Sequence, residues 1–434
     1  MRDFLPEDVR RREYVIGIIK RVYERYGYEP LETPAVENLE TLMGKYGEEG
    51  DQLIFKILKR GEHEGTGQAD LALRYDLTVP LARVIAHHQS KLPRLFKRYQ
   101  IQPVWRADRP QRGRFREFYQ CDVDALGSTA PLVEAELCAA VADALSQLGF
   151  NDFVIRINHR QLLTALLTAA GLADGQHSDA LTALDKLDKV GRDGVKSELA
   201  SRGISAGASD ALLSFFASQT GVVLDFVADV VRHDEDGSAA IANLRHILHL
   251  AASTNAGGRL RVDPSLARGL SYYTGAIMEI NVSDLAGSLG GGGRYDNLVG
   301  MFLGQHIPAC GFSLGLERIL VVMTERGMFP PSLATTPADV MLAVFDAADT
   351  PHALRVAEML RQAGVRVLVY PEVEKMGKQI KYADSRGIPF IGILGGDEIA
   401  AGMLTVKDLA NKVQHTHEQA AAGAAILEAL RQRG

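Results

Sequence analysis

The sequence predicts an α+β protein with a helical insertion and a C-terminal α/β domain, and three observations carry that reading. Two alternating segments, KRYQIQPVW (97–105) and RFREFYQCDVD (114–124), flank a turn with Pro110 and Gly113, which predicts a long antiparallel hairpin. Residues 160–252 are rich in Ala and Leu, with turns at Gly171, Gly191 and Gly203, and read as an inserted helical module. Beyond a Pro-, Ser- and Thr-bearing stretch at 326–338, short apolar runs (VMLAVFD, VRVLVYP, IPFIGILG) alternate with helix patterns, the signature of a small, mostly parallel sheet. The expected division is a first domain over 1–325 containing the insertion, a linker over 326–338, and a second domain over 339–434.

Taken in order, residues 6–27 form a helix whose stripe is Val15, Ile16, Ile18, Ile19 and Val22. YGYEPLETPAVE is extended, with Pro34 restricting the backbone. LIFKIL (53–58) and LALRYD (71–76) read as strands, and a helix begins near Val79. In the second hairpin strand Gln120, Asp122 and Asp124 share one face, while Tyr119, Cys121 and Val123 share the other. The apolar set suits a core; the polar set makes sense facing a cleft. A helix follows over 131–148 and a strand over 153–157. Strand character returns at 259–263 and 272–282. SLGGGGRYDNLVG reads as a glycine-rich turn, and ACGFSLGLERILVVM as a strand running into a helix. Helices are expected over 350–363 and 375–386, and THEQAAAGAAILEALRQR closes the chain as a helix.

Composition narrows the function. The 434 residues are 46% hydrophobic and 24% charged, which excludes wholesale disorder. No apolar run approaches the roughly 18 residues of a membrane span, and the start, MRDFLPEDVRRR, has no signal-peptide core. Cys121, Cys138 and Cys310 are scattered, so a disulfide framework is not expected and a cytoplasmic protein is. His246 and His249 lack a third ligand, and HEXXH is absent. Net charge is −6, yet Lys91 to Phe118 holds nine basic and two acidic residues. Such a segment is either a focused phosphate site or a solvated charged face.

Four segments could carry chemistry. In the hairpin, Arg106 offers a planar fork for phosphate, and Gln120 with Asp124 could bind an ammonium or N–H donor; a surface ion-pair network is the equal alternative. ARGLSYYTG (267–275) could line a polar pocket, or be a strand with ordinary tyrosine packing. LGGGGRYDNLVG (289–300) allows close backbone approach, but it is neither a Walker loop nor a GxGxxG fingerprint. In GFSLGLERI (311–319), Arg318 on an early helical turn could reach a phosphate or simply face solvent.

In this order the segments resemble histidyl-tRNA synthetases, a family of class II aminoacyl-tRNA synthetases, over almost the whole chain. Residues 6–34 are similar to the dimer-forming first motif, FKRYQIQPVWRADRPQRGRFREFYQCDVD to the second, and GFSLGLERI to the third. ALRYDLTVP, ARGLSYYTG and GGGRYDNL resemble segments characteristic of the histidine enzymes, and EKMGKQIKYADSRGIPF (374–390) resembles their anticodon-binding domain. The resemblance implies a six-stranded antiparallel catalytic sheet flanked by helices, a homodimer, and a two-step reaction: histidine and ATP give histidyl-adenylate, then the histidyl group passes to the 3′ end of tRNA(His).

By the same resemblance, Arg106 contacts the α-phosphate, Arg318 the γ-phosphate, and Arg268 the charge developing at the α-phosphate, with Mg2+ on the phosphates and Gln120 also lining the ATP site. Asp76, Leu77, Thr78 and Gln120 form the α-amino end of the histidine site. Asp124, Tyr272 and Tyr273 line the imidazole pocket, whose floor is closed by Arg294 and Tyr295. Arg109 and Gln111 meet the tRNA acceptor end. Many bacterial members carry Glu-Gly-Thr at Asp76-Leu77-Thr78 and Glu at Asp124; the shorter carboxylates resemble the archaeal and eukaryotic branch, while RPQRG looks bacterial. Two rival readings share the fold: a non-catalytic regulatory subunit of ATP phosphoribosyltransferase, and a module that senses uncharged tRNA. The retained arginines and residues 338–434 weigh against both.

Overall fold

The computed structural model describes residues 1–433 except 64, 217–222, 268–271, 331–332 and 334–335. It divides into two compact units, one of residues 1–3 and 12–328, the other of residues 4–11 and 329–434.

The first unit contains strands β1 (Glu29–Pro30), β2 (Val36–Asn38), β3 (Lys56–Leu58), β4 (Ala69–Leu73), β5 (Phe96–Trp105), β6 (Glu117–Leu126), β7 (Val154–His159), β8 (Leu260–Val262), β9 (Ala276–Asn281), β10 (Gly290–Arg294) and β11 (Ala309–Gly315). Eight of them form one sheet in the order β1-β5-β6-β11-β10-β9-β7-β8. The six inner strands are all antiparallel, and a short parallel strand is added at each edge. The hairpin pairs ten residues with ten, Phe96↔Leu126 through Trp105↔Glu117, and this register sets Arg98 opposite Asp124 and Gln100 opposite Asp122.

Apolar side chains cover one face of this sheet. Helix α1 (Pro6–Arg25) buries Val15, Ile18, Ile19 and Val22, and the Tyr23 hydroxyl donates to the Cys121 carbonyl. Its chain turns off at Gly27, whose φ of 76° lies in the left-handed region that suits glycine. Helix α2 (Thr78–His88) starts where the Asp76 carboxylate accepts the Val79 N–H at 3.0 Å. Helix α3 (Leu132–Gln147) is apolar nearly all round and buries ten residues, as a helix enclosed within a core must. Residues 160–251 are helical over most of their length, from Arg160–Ala169 to Glu235–Ala251. Leu163, Leu167, Leu199 and Leu212 of this stretch join the same core as Val79 and Ile85.

The glycine run departs from expectation. Gly290–Arg294 is not a turn but a central strand. A Cβ on Gly292 would stand 2.0 Å from the Gly311 carbonyl oxygen, and one on Gly290 2.4 Å from that of Ser313. Glycine here serves a close approach between strands.

The second unit holds β12 (Val340–Ala343), β13 (Val367–Val369), β14 (Phe390–Ile393), β15 (Met403–Asp408) and β16 (Gln414–Glu418), in the order β13-β12-β14-β15-β16. Helices Thr350–Gln362 and Met376–Ser385 make the two parallel crossovers. The sheet is mixed rather than mostly parallel, because β15 and β16 return antiparallel. The connections before them are too short for a crossover, which takes a dozen or more residues. Part of the closing segment read as helix is therefore strand β16, and the helix proper is Gln419–Arg431.

Candidate active site

The antiparallel register brings polar residues of several strands onto the face of the sheet opposite α1. Across it run Arg98, Gln100 and Gln102 of β5; Asp124, Asp122 and Gln120 of β6; Gly311, Ser313 and Gly315 of β11; and Gly293 and Gly291 of β10. Side chains alternate along a strand, so these positions share one side. The small residues on β10 and β11 leave the hollow that the carboxylates occupy.

Asp124 is the centre of this hollow. It is 2% exposed. The Arg98 guanidinium, fully buried, pairs with it at 2.9 Å, and the Tyr295 hydroxyl donates a short hydrogen bond to its other oxygen. Burial raises the Asp124 pKa; Arg98 and the tyrosine act against that rise. Arg98 is held in turn by Gln100 Oε1 at 3.2 Å and the Leu77 carbonyl at 3.3 Å. A Cβ on Gly311 would lie 1.9 Å from Asp124 Oδ1, so only glycine leaves that carboxylate its place. Gly311→Ala is accordingly expected to displace the Asp124 carboxylate and to destabilise the fold by about 1–3 kcal/mol, the usual cost of overpacking a buried position; thermal unfolding checks it.

A second carboxylate, Asp76, sits where β4 gives way to α2 and is 1% exposed. Tyr46 donates to its Oδ1 at 2.9 Å, the Val79 N–H to the same atom, and Tyr272 to its Oδ2 at 3.3 Å. Burial raises its pKa, and Arg106 stands close enough to counter the rise. Tyr272 packs edge-on against Tyr273 (centroids 5.0 Å apart) and against Tyr295 (6.1 Å), which joins the two carboxylate clusters into one pocket wall. Thr78 neighbours Tyr272 by a side-chain hydrogen bond.

Arg106 ends β5 on the same face. Its Nε donates to the Tyr75 carbonyl at 3.1 Å, and its guanidinium lies over the Tyr75 ring, 4.2 Å from the centroid, with Phe118 at 5.2 Å. No carboxylate pairs with it among the described residues. Arg318, on the helix Leu316–Glu325, donates to the Ser288 carbonyl at 2.6 Å and to Gly113 in the hairpin loop at 3.3 Å. The third arginine, Arg268, lies outside the described residues. Before the segment that carries it, Asn158 donates to the carbonyls of Pro264 and Leu266 at 3.0 Å each. Arg109 and Gln111 are exposed on the hairpin loop, where Gln111 exchanges backbone hydrogen bonds with Arg114.

Arg294 is the one candidate the fold sends elsewhere. It pairs with Cys310, one position out of phase with Gly293 and Gly311, and so projects from the opposite face. There it makes a bidentate pair with Glu134 of α3, at 2.6 and 2.9 Å, and also bonds Ser128 and Asp296. It is a structural clamp between sheet and helix, not part of the pocket floor. Conversely, Arg98, Tyr46 and Ser313 line the same pocket without having been named as candidates, although Arg98 and Ser313 lie within the second and third motif-like segments. Arg98 would follow from Asp124 only with the hairpin register in hand.

A model of the histidyl-tRNA synthetase family matches residues 1–319, and an anticodon-binding domain model matches residues 339–429. The histidine–tRNA ligase of Gloeobacter violaceus is 43% identical over 99% of this chain and 98% of its own length. That of Flavobacterium johnsoniae is 41% identical over 94% of each. The crystal structure of histidyl-tRNA synthetase from Nostoc sp. PCC 7120 superposes with a TM-score of 0.82 at 34% identity, covering 98% of this chain and 97% of that one. The antiparallel catalytic sheet and the appended anticodon-binding domain are those of an aminoacyl-tRNA synthetase. The chain belongs to the histidyl-tRNA synthetase family.

Proposed function

We propose that the chain is a histidine–tRNA ligase whose reaction takes place on the polar face of the large sheet. The observation that carries this is Asp124, buried between Arg98 and Tyr295 beneath a wall of tyrosines. A carboxylate so placed can accept the N–H of an imidazole, and analogues that leave such a buried partner unpaired are rejected by about 10⁴–10⁵.

In the first step an oxygen of the histidine carboxylate attacks the α-phosphorus of ATP. The bond from that phosphorus to the bridging oxygen breaks, and pyrophosphate leaves with the electron pair. Both reactants are anions, so the protein's part is to align them and supply fixed positive charge. We assign Arg106 to the α-phosphate, Arg318 to the γ-phosphate, and Arg268 to the charge that develops in the transition state. Arg106 suits its role because its contacts are a carbonyl and two ring faces, which orient the guanidinium without cancelling its charge. Among the described residues no three His, Cys, Asp or Glu side chains gather as a metal site. We assign a magnesium ion to the triphosphate, where it would add positive charge.

The exposed Arg109 and Gln111 are assigned to the tRNA acceptor end, and the domain beyond the 326–338 linker to the anticodon, read as splayed bases. We further infer a homodimer, on the resemblance of residues 6–34 to the first motif. No helix among the described residues is long and apolar enough to cross a membrane. All three cysteines are free and buried, and we infer a cytoplasmic enzyme from that cysteine usage. The anticodon-binding match over 339–429 speaks against the regulatory-subunit alternative.

The test is exchange of labelled pyrophosphate into ATP by the purified protein. Exchange is expected with histidine and not with the other amino acids. Absence of exchange, or equal exchange with several amino acids, would overturn the reading.

A further inference from the structure

Arg74 follows β4 directly and precedes Tyr75 and Asp76. It is 1% exposed. Among the described residues its hydrogen bonds all go to neutral oxygens. Nε donates to the Pro103 carbonyl at 2.8 Å. Nη1 donates to the Thr33 carbonyl at 2.6 Å and to Gln102 Oε1 at 2.9 Å, with the Pro34 carbonyl at 3.2 Å and Thr33 Oγ1 at 3.3 Å. The backbone repeats the pattern: the Arg74 N–H donates to the Ala35 carbonyl at 3.0 Å, and the Arg74 carbonyl accepts the Trp105 N–H at 3.1 Å. One residue thus ties the extended stretch 33–35 and the end of β5 to the start of the segment 74–76.

A buried guanidinium without a carboxylate is costly, and apolar residues of similar volume often serve stability as well or better. What arginine adds is a rigid fork that fixes several oxygens at once. The group that gains from this is Arg106. Its Nε donates to the Tyr75 carbonyl and its guanidinium lies over the Tyr75 ring. Trp105, the residue before it, is bonded to Arg74 itself. Asp76, by contrast, is held by donors of its own from Tyr46, Val79 and Tyr272.

We infer that Arg74 is a positioning residue for Arg106: it sets Tyr75 and the end of β5, on which the phosphate-facing guanidinium rests. This deepens the ligase reading and rests on it, since Arg106 is there assigned to the α-phosphate.

The experiment measures histidine-dependent pyrophosphate exchange by the full chain in the wild type, Arg74→Lys, Arg106→Ala and the double variant. Lysine keeps the charge and loses the fork. Arg74→Lys is expected to lower kcat about tenfold or more, within the roughly 10²-fold that a 1 Å misplacement can cost. KM for histidine should stay within about twofold, because Asp76 keeps its own anchors. In the double variant the loss beyond that of Arg106→Ala should be under about twofold, because no guanidinium is left to place. A role in folding alone would lower the melting temperature without this coupling. Losses that multiply in the double variant, or an unchanged kcat in Arg74→Lys, would overturn the inference. Should Arg74→Lys fail to fold, Gln102→Met decides by the same cycle, since it takes one acceptor from the fork and leaves the charge. Its kcat should fall about threefold or more, in keeping with one lost hydrogen bond, and the fall should vanish in the Arg106→Ala background; no fall, or one that persists there, counts against the inference. If the wild type itself shows no exchange, the ligase reading falls and takes this inference with it. An active wild type with a fully active Arg74→Lys sinks the inference alone.

Discussion

Replacing Arg106 by alanine is expected to slow histidine-dependent pyrophosphate exchange by about 10²–10³-fold, the usual effect of removing one preorganised donor from a developing anion. The side chain sits at the end of β5, partly buried, held by one carbonyl and two aromatic faces. Its loss removes no partner from a buried charge at hydrogen-bond distance, so the melting temperature should change little. The fall should appear in kcat more than in KM for ATP, because a charge that tracks the transition state contributes less to ground-state binding. A loss confined to KM for ATP would move Arg106 from catalysis to plain binding.

The second large effect concerns stability and recognition together. Arg98 is fully buried and pairs with Asp124, which is itself 2% exposed. Removing one member of such a pair costs about 3–5 kcal/mol, because the other charge is left uncompensated in a poorly solvating interior. Arg98→Met should therefore lower the melting temperature by about 10 °C, taking about 2–4 °C per kcal/mol for a domain of this size or somewhat smaller. The sign of the pH effect follows from the same contact. Asp124 already has a raised pKa, and Arg98 opposes the rise. Without Arg98 the pKa climbs further, so the carboxylate is protonated over a wider range below it. Activity of the variant should then recover as pH increases, whereas adding Asp124→Asn should restore part of the stability and none of the activity. Thermal unfolding and pH–rate profiles of the single and double variants check this. Additive stability losses in the double variant would mean that the pair is not coupled.

Much of the architecture was legible because it rests on local rules. Alternation in KRYQIQPVW and RFREFYQCDVD set the hairpin and put Gln120, Asp122 and Asp124 on one face. The Ala- and Leu-rich stretch from 160 to 252 and the strand–helix alternation after 338 were equally plain. The glycine run was not: four glycines suggest a turn by propensity, but β10 needs them because β11 passes too close for a Cβ. Short connections around β15 and β16 likewise turned an expected parallel sheet into a mixed one.

For the candidate site, residue type and the family resemblance together named the chemistry to expect: guanidinium groups at 106, 268 and 318, carboxylates at 76 and 124, and tyrosines at 272, 273 and 295. Residue type and order along the chain are enough for that. Which way each side chain points depended on strand register, a property of pairing between segments far apart in sequence, and a shift of one position exchanges the two faces of a strand. That register turned Arg294 away to clamp Glu134 and brought Arg98 against Asp124, and only the tertiary structure could decide it.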